Sequence, residues 1–172
     1  MKKIFYVVFL SCILCFCIGC TEKTKDIPFN GVYNKEKDIL ITIGMPKTEV
    51  DALLGEYELL HRTEYTYFLN EPEHKIIVLY DYEDGTVRCV WIDTNNWRVH
   101  DKSCYVGANI SDLSEDFMDT GVTSFGGQIY ESYCDENGQV LDTSNLAQYY
   151  ISTRTENNRV YRILVGIPRN LS

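Results

Sequence analysis

Apolar residues in this chain change period several times after residue 38, and the changes mark out two similar passages. Ile39–Ile43 (ILITI) is short, apolar and β-branched, which predicts a strand. From Gly44 to Gly55 the period becomes helical, with Val50, Leu53 and Leu54 spaced as a buried stripe. Pro46-Lys47-Thr48-Glu49 is helix-entry chemistry, with either Met45 as cap before Pro46 or Thr48 as the cap. Gly55 supplies the stop. A helix of about two to three turns is too short to stand alone, so it must pack on the sheet predicted to follow.

Thr63–Leu69 predicts a strand that turns at Asn70–Glu73. Lys75–Tyr82 and Thr86–Asp93 flank Asp84-Gly85, the signature of a two-residue hairpin turn. That turn sets a register with Asp81 opposite Arg88, Leu79 opposite Val90 and Ile77 opposite Ile92. The aliphatic set Ile77, Leu79, Val90 and Ile92 is then expected under the helix. The opposite face carries Tyr82 with Val87, Tyr80 with Cys89, and Val78 with Trp91.

The second passage repeats this order. Gly107, Ser111 and Leu113 follow Gly44, Thr48 and Val50 at an offset of 63. Ile110, Leu113 and Phe117 predict a second helix stopped by Gly121. Gln128–Cys134 predicts a strand, and Ala147–Thr155 with Arg159–Ile167 a hairpin around Asn157-Asn158. In that register Tyr150, Ile163 and Val165 share a face. Val90 and Ile92 fall on Ile163 and Val165 at an offset of 73, and the polar stretch Asn137–Asn145 supplies the longer loop. The pattern predicts an α+β fold of two repeated units, each a short helix packed on an antiparallel sheet, over residues 37–100 and 101–172.

The N-terminus is different in kind. Lys2 and Lys3 precede an apolar run from Ile4 to Ile18, of signal-peptide length and short for a membrane span. Cys17-Ile18-Gly19-Cys20 resembles the bacterial lipoprotein signal, although Cys17 stands where Leu is usual. The resemblance implies removal of residues 1–19 and acylation of Cys20, palmitate included. The protein is then expected at the extracytoplasmic face of a cell membrane, held by its lipid, with 20–36 as a tether. Two acyl chains anchor stably where one is marginal.

Composition narrows the function. The net charge is −9, and becomes −11 once Lys2 and Lys3 leave with the signal. Such a surface argues against nucleic acid, whose phosphates require basic patches. Thirteen tyrosines favour β-structure and amphipathic surfaces. Of seven cysteines, Cys89, Cys104 and Cys134 remain in the mature domain, so at most one internal pair forms. Cys89–Cys104 is the first pairing considered, Cys104–Cys134 the second, and three unpaired thiols the third. There is no CxxC and no Cys/His cluster, so no metal or cofactor is expected.

Ile43, Gly44, Met45, Lys47, Glu49, Val50, Leu53, Leu54 and Gly55 form a recurring pattern. Behind a lipobox and ahead of a small sheet, this looks like the SmpA/OmlA outer-membrane lipoproteins, and at least as much like the β-lactamase inhibitor protein group. The resemblance implies a helices-on-sheet unit, single in the first group and duplicated in the second. It also implies a protein-binding scaffold. One group supports an outer-membrane assembly machine; the other grips an enzyme with an aromatic-rich concave sheet.

The candidate partner-binding residues are Tyr80, Tyr82 and Trp91, extended by Tyr65 and Tyr67, since Tyr and Trp are favoured at interfaces. Cross-strand packing is the competing role. His61, His74 and His100 lack metal spacing and are expected on the surface or in loops. Asp112, Glu115, Asp116 and Asp119 are expected on a solvated helix face. No catalytic constellation stands out. The expected function is noncatalytic protein binding at the bacterial envelope. The alternatives are an assembly factor of SmpA type and a small ligand-binding or hydrolytic protein.

Overall fold

The structure, a computed structural model, describes residues 26–122 and 127–168. The signal and Cys20 lie outside the described residues. Strand accounts for 46% and helical conformation for 12%, with one α-helix. The α+β expectation is therefore corrected to a predominantly antiparallel β fold, in which helix-on-sheet units do not occur twice.

The chain runs through β1 (Gly31–Asn34), β2 (Ile39–Thr42), α1 (Lys47–Leu54), β3 (Tyr57–His61), β4 (Glu64–Tyr67), β5 (Ile76–Tyr80), β6 (Val87–Ile92) and β7 (Trp97–Arg98). It continues through β8 (Met118–Val122), β9 (Gln128–Cys134), β10 (Val140–Leu141), β11 (Tyr149–Glu156) and β12 (Arg159–Gly166). Nine strands form one sheet in the order β10-β9-β11-β12-β6-β5-β4-β3, with β8 also paired to β9. The smaller sheet is β2-β1-β7. Because Phe29 and Val32 are buried, the segment predicted as tether joins the folded body before it reaches residue 36.

The second helix fails for a local reason. Ile110–Asp112 makes only a 3-10 turn, and Met118–Val122 is strand. The Ser114 N–H donates to Ser103 Oγ at 3.1 Å, and the Ser114 hydroxyl donates to Asp101. Serine and aspartate favour such side-chain bonds over helix. Asp112 and Asp119 accordingly do not share a helix face. In α1 itself the cap position is Pro46, ahead of Lys47, with no side-chain cap bond. Val50 and Leu54 are buried, but Leu53 faces solvent.

Both hairpins form in the predicted places, but only the second has its two-residue turn, Asn157-Asn158. The first is closed by the four residues Tyr82 to Gly85, with the Asp81 N–H donating to Thr86 O at 2.8 Å, so Asp81 does not face Arg88. Both hairpins shift register near the turn. Tyr80 pairs with Val87 and Leu79 with Cys89, leaving Arg88 as the extra residue of a bulge. Thr155 pairs with Val160 and Arg154 with Arg162, leaving Tyr161 extra. One inserted residue moves every later side chain to the other face. Val78 and Tyr80 therefore turn into the core with Val90 and Ile92, while Ile77 and Leu79 turn away. Tyr150 likewise pairs with Gly166, on the face away from Ile163 and Val165.

The offset of 73 nevertheless has a structural meaning. β12 and β6 are adjacent and antiparallel, pairing Val165 with Val90, Leu164 with Trp91 and Ile163 with Ile92. Positions related by the offset thus exchange partners around the Trp91–Leu164 pair. A backbone clasp recurs too. The Gly44 N–H donates to Val87 O at 2.8 Å and the Val87 N–H to Met45 O at 2.8 Å. The Gly107 N–H donates to Val160 O at 2.8 Å and the Val160 N–H to Ala108 O at 2.9 Å. Gly44 (φ 89°) and Gly107 (φ 100°) meet no atom within 4 Å of an added Cβ, so the left-handed backbone is what requires glycine there.

One face of the large sheet is covered by α1, the small sheet and the segment through Cys104 and Ala108, which share a single core cluster. Trp97 is fully buried and donates from Nε1 to His74 O at 2.8 Å. The other face has no comparable cover among the described residues, and it carries an open trough.

Candidate functional site

On the covered face, β3, β4 and β5 bring Tyr57, Tyr65, Tyr67 and Tyr80 beside the first turn of α1. The i, i+4 spacing of a helix sets Lys47 against Asp51, with Nζ 2.7 and 2.9 Å from the carboxylate oxygens. The same ammonium lies 3.8 Å from the Tyr57 ring centroid, 4.4 Å from that of Tyr65 and 5.7 Å from that of Tyr80. Tyr67 donates its hydroxyl proton to Asp51 at 2.7 Å. Its oxygen lies 2.7 Å from the Tyr80 hydroxyl, which is left as the donor between them. Burial, then the bonds to Tyr80 and Asp51, push the Tyr67 phenol well above its ordinary range. Burial raises Tyr80 as well. Lys47, Asp51, Tyr67 and Tyr80 are bonded to one another, so chemically the cluster is a closed latch between helix and sheet.

On the uncovered face, residues of β5, β6, β12, β11 and β9 line a trough of about 610 Å³. Arg88, Cys89, Trp91, Tyr133, Tyr150 and Arg154 are on its walls. Gly166 lies opposite Cys89, and an added Cβ there would sit 3.2 Å from the Cys89 sulfur. Beside Trp91 and Arg154, Arg162 makes two bonds to Asp93, at 2.6 and 2.8 Å. Its guanidinium carbon lies 5.2 Å from the Trp91 ring centroid. The bonds to Asp93 raise the Arg162 pKa further. The Tyr133 hydroxyl donates to Glu131, and burial with this bond raises the Tyr133 phenol.

The five predicted aromatic residues therefore do not form one patch. Tyr65, Tyr67 and Tyr80 join the Lys47 latch on the covered face. Trp91 lies on the opposite face, in the trough. Tyr82 is 87% exposed at the hairpin turn, apart from both groups. The register shift at Arg88 turns the Tyr80 ring towards the covered face, although Tyr80 and Trp91 both border the trough. Sequence reading missed Tyr133, Tyr150 and Arg154, which reach the trough only because β6 pairs with β12. Their alternation along β9 and β11 was a usable signal once those two strands were placed beside β12.

Of the three cysteine arrangements considered, the structure has the third. Cys89, Cys104 and Cys134 are free thiols. Cys89 lies on the trough face, whereas Cys104 and Cys134 belong to the core cluster on the other side. Burial pushes the Cys89 thiol up to about 11 and Cys134 up to about 12, so neither is a ready nucleophile near neutrality. His74, expected in a surface loop, is buried; its Nδ1 accepts from Asn34 at 3.0 Å. Glu71, Glu73 and His74 bring ligand atoms within 4.8 Å of one another. Glu71 is already paired with Lys37, and His74 Nε2 lies 3.3 Å from Glu36.

No helix among the described residues is long and apolar enough to cross a membrane, which does not bear on lipid anchoring. Compared with protein-family models, curated proteins and solved structures, the chain matches none.

Proposed function

We propose that this protein is a lipid-anchored binding module of the bacterial envelope, noncatalytic, that holds a protein partner against the trough face of its large sheet. The observation that carries the proposal is the asymmetry of that sheet. One face is sealed by α1 and the small sheet, and the other presents Trp91, Tyr133, Tyr150 and two arginines around an open trough. Tyr, Trp and Arg are the residue types that dominate binding energy at interfaces. The trough residues come from five adjacent strands of one sheet, β5, β6, β9, β11 and β12, which preorganises them and lowers the ordering cost of association.

The anchor part of the proposal rests on Cys17-Ile18-Gly19-Cys20. Cys20→Ser is expected to abolish acyl labelling and release the protein from membranes; retention of both would sink it. For the binding part, a photo-crosslinking residue at Leu79 on the trough wall is expected to capture an envelope protein in intact cells. The same residue at exposed Glu49 on α1 is expected not to. Equal capture at both positions, or at neither, would remove the trough as the binding face.

A further inference from the structure

The trough is a basic place in an acidic protein. Of the acids on or beside it, Asp93 holds Arg162, Glu131 accepts from Tyr133, and Glu64 stands at one end, across the ladder from Leu79. Arg88 and Arg154 also line the trough, and neither guanidinium has a hydrogen-bonding or ion-pairing partner among the described residues. Arg154 is half-buried and stands directly across the β11–β12 ladder from Arg162. Like charges facing each other on adjacent strands cost stability. Asp93 neutralises one of the two guanidinium groups and leaves the other without a counter-charge. Arg88 occupies a bulge, a position that re-aims a side chain out of the regular ladder.

We infer that the trough recognises an acidic, aromatic-bearing extended segment of a partner protein, with Arg154 as the half-buried carboxylate anchor and Arg88 as a second, exposed one. This inference rests on the binding-module reading and adds the chemistry of the partner. Charge complementarity selects the occupant. The formal charge of −9 opposes an acidic partner over most of the surface, so carboxylates are accepted where the two arginines lie unpaired. The planar guanidinium forks a carboxylate with two bonds, which fixes orientation as well as affinity. Trp91, Tyr133 and Tyr150 give the intervening aromatic side chains an amphipathic wall. The trough is open along the sheet, which suits a segment lying across several strands.

The test uses the full-length protein in neutral detergent and three acetylated, amidated pentapeptides: Glu-Phe-Glu-Phe-Glu and its Gln-for-Glu and Lys-for-Glu analogues. Binding is read by calorimetry and by the indole N–H resonance of Trp91. The acidic peptide is expected to bind and shift that resonance, with affinity falling as salt rises. The neutral and basic analogues are expected to bind at least about tenfold more weakly, the factor expected from losing a charged hydrogen bond. Arg154→Gln is expected to remove about that same tenfold, Arg88→Gln less, and the exposed-lysine control Lys75→Gln nothing. Equal binding of acidic and neutral peptides, no binding of any, or an unaffected Arg154→Gln would overturn the inference. Equally tight, saturable binding of free citrate would overturn it in favour of a small organic anion. So would a dimer that Arg154→Gln dissociates, in favour of a second copy of the chain. The crosslink at Leu79 separates the two levels: if it persists in Arg154→Gln and Arg88→Gln, the charge inference falls and the binding face stands. If it was never formed, both fall.

Discussion

Two clusters of basic and aromatic side chains lie on opposite faces of one sheet, and the difference between them is a carboxylate. In the covered cluster, Lys47 has Asp51, and Asp51 has Tyr67, so the charges are matched internally. In the trough, Arg162 has Asp93, but Arg154 and Arg88 have no acid of their own. The same residue types therefore give a latch in one place and an open valence in the other. Aromatic and basic content says little about which is which; the count of available acids decides it.

The sharpest test of the comparison is to remove an aromatic ring from each side. Tyr67 is fully buried, and Tyr67→Ala deletes the ring together with its bonds to Asp51 and Tyr80. A loss of about 3–5 kcal/mol is expected in urea unfolding, as for other large buried aromatics. Trp91→Ala in the half-buried trough is expected to cost clearly less. Equal losses would mean that the trough face is as structural as the covered one.

How this division was and was not legible in the sequence follows from the hairpins. The Asn157-Asn158 turn and the strand Gln128–Cys134 could be read from residue type and alternation, whereas Asp84-Gly85 located the first hairpin but not its four-residue loop. The faces could not, because the extra residues Arg88 and Tyr161 shift both registers and nothing in their chemistry marks a bulge. Tyr65, Tyr67 and Tyr80 do meet, since β4 and β5 are sequence neighbours, but around Lys47 on the covered face and not in the outer patch expected of them. Their partner Lys47 was hidden because helix placement on a sheet is a tertiary outcome. Tyr133, Tyr150 and Arg154 were hidden by distance along the chain: they meet Trp91 only through β12. The second helix was overread because apolar spacing at Ile110, Leu113 and Phe117 says nothing of the bonds Ser114 makes to Ser103 and Asp101.

A smaller perturbation addresses the cation of the latch. Lys47→Met keeps the aliphatic stem and removes the charge, leaving Asp51 with Tyr67 alone. The expected loss is about 1–2 kcal/mol, the range for a partly desolvated cation–π contact with a part-exposed ion pair. Lys47→Arg is not expected to restore it, since a planar fork does not fit three rings arranged around a point charge. Full stability in Lys47→Met, again by urea midpoint, would show that the rings hold the latch by packing alone.

Alkali separates the clusters more finely. The folded Tyr67 and Tyr80 phenols are raised above their unfolded value near 10, so folded protein retains protons that unfolded chain has released. Their contribution is complete below about pH 10 and is lost as pH climbs from there towards the folded values. Stability is therefore expected to fall between about pH 10 and 11.5, with a shallower slope in Tyr67→Phe, because only Tyr67 has been removed from the titration. Tyr133 in the trough is raised too, by burial and by Glu131, and Tyr133→Phe tests its share of the slope. An unchanged slope in Tyr67→Phe would place the alkaline sensitivity outside the latch.

The smallest expected effect decides most about the trough. Arg154 faces Arg162 across the ladder and has no acid of its own, so in the isolated protein it is a net liability. Arg154→Thr replaces it with a good strand former of lower charge. The variant is expected to be more stable by about 0.2–1 kcal/mol, the scale of an opposed like-charge pair on a sheet. Asp93→Asn is expected to act in the other direction, because it leaves two guanidinium groups opposed without compensation. A residue that lowers stability where it stands, and could be replaced at no structural cost, is what a binding site requires of its anchors. If Arg154→Thr instead destabilises the fold, Arg154 belongs with Lys47 as a structural cation, and the contrast between the two faces disappears.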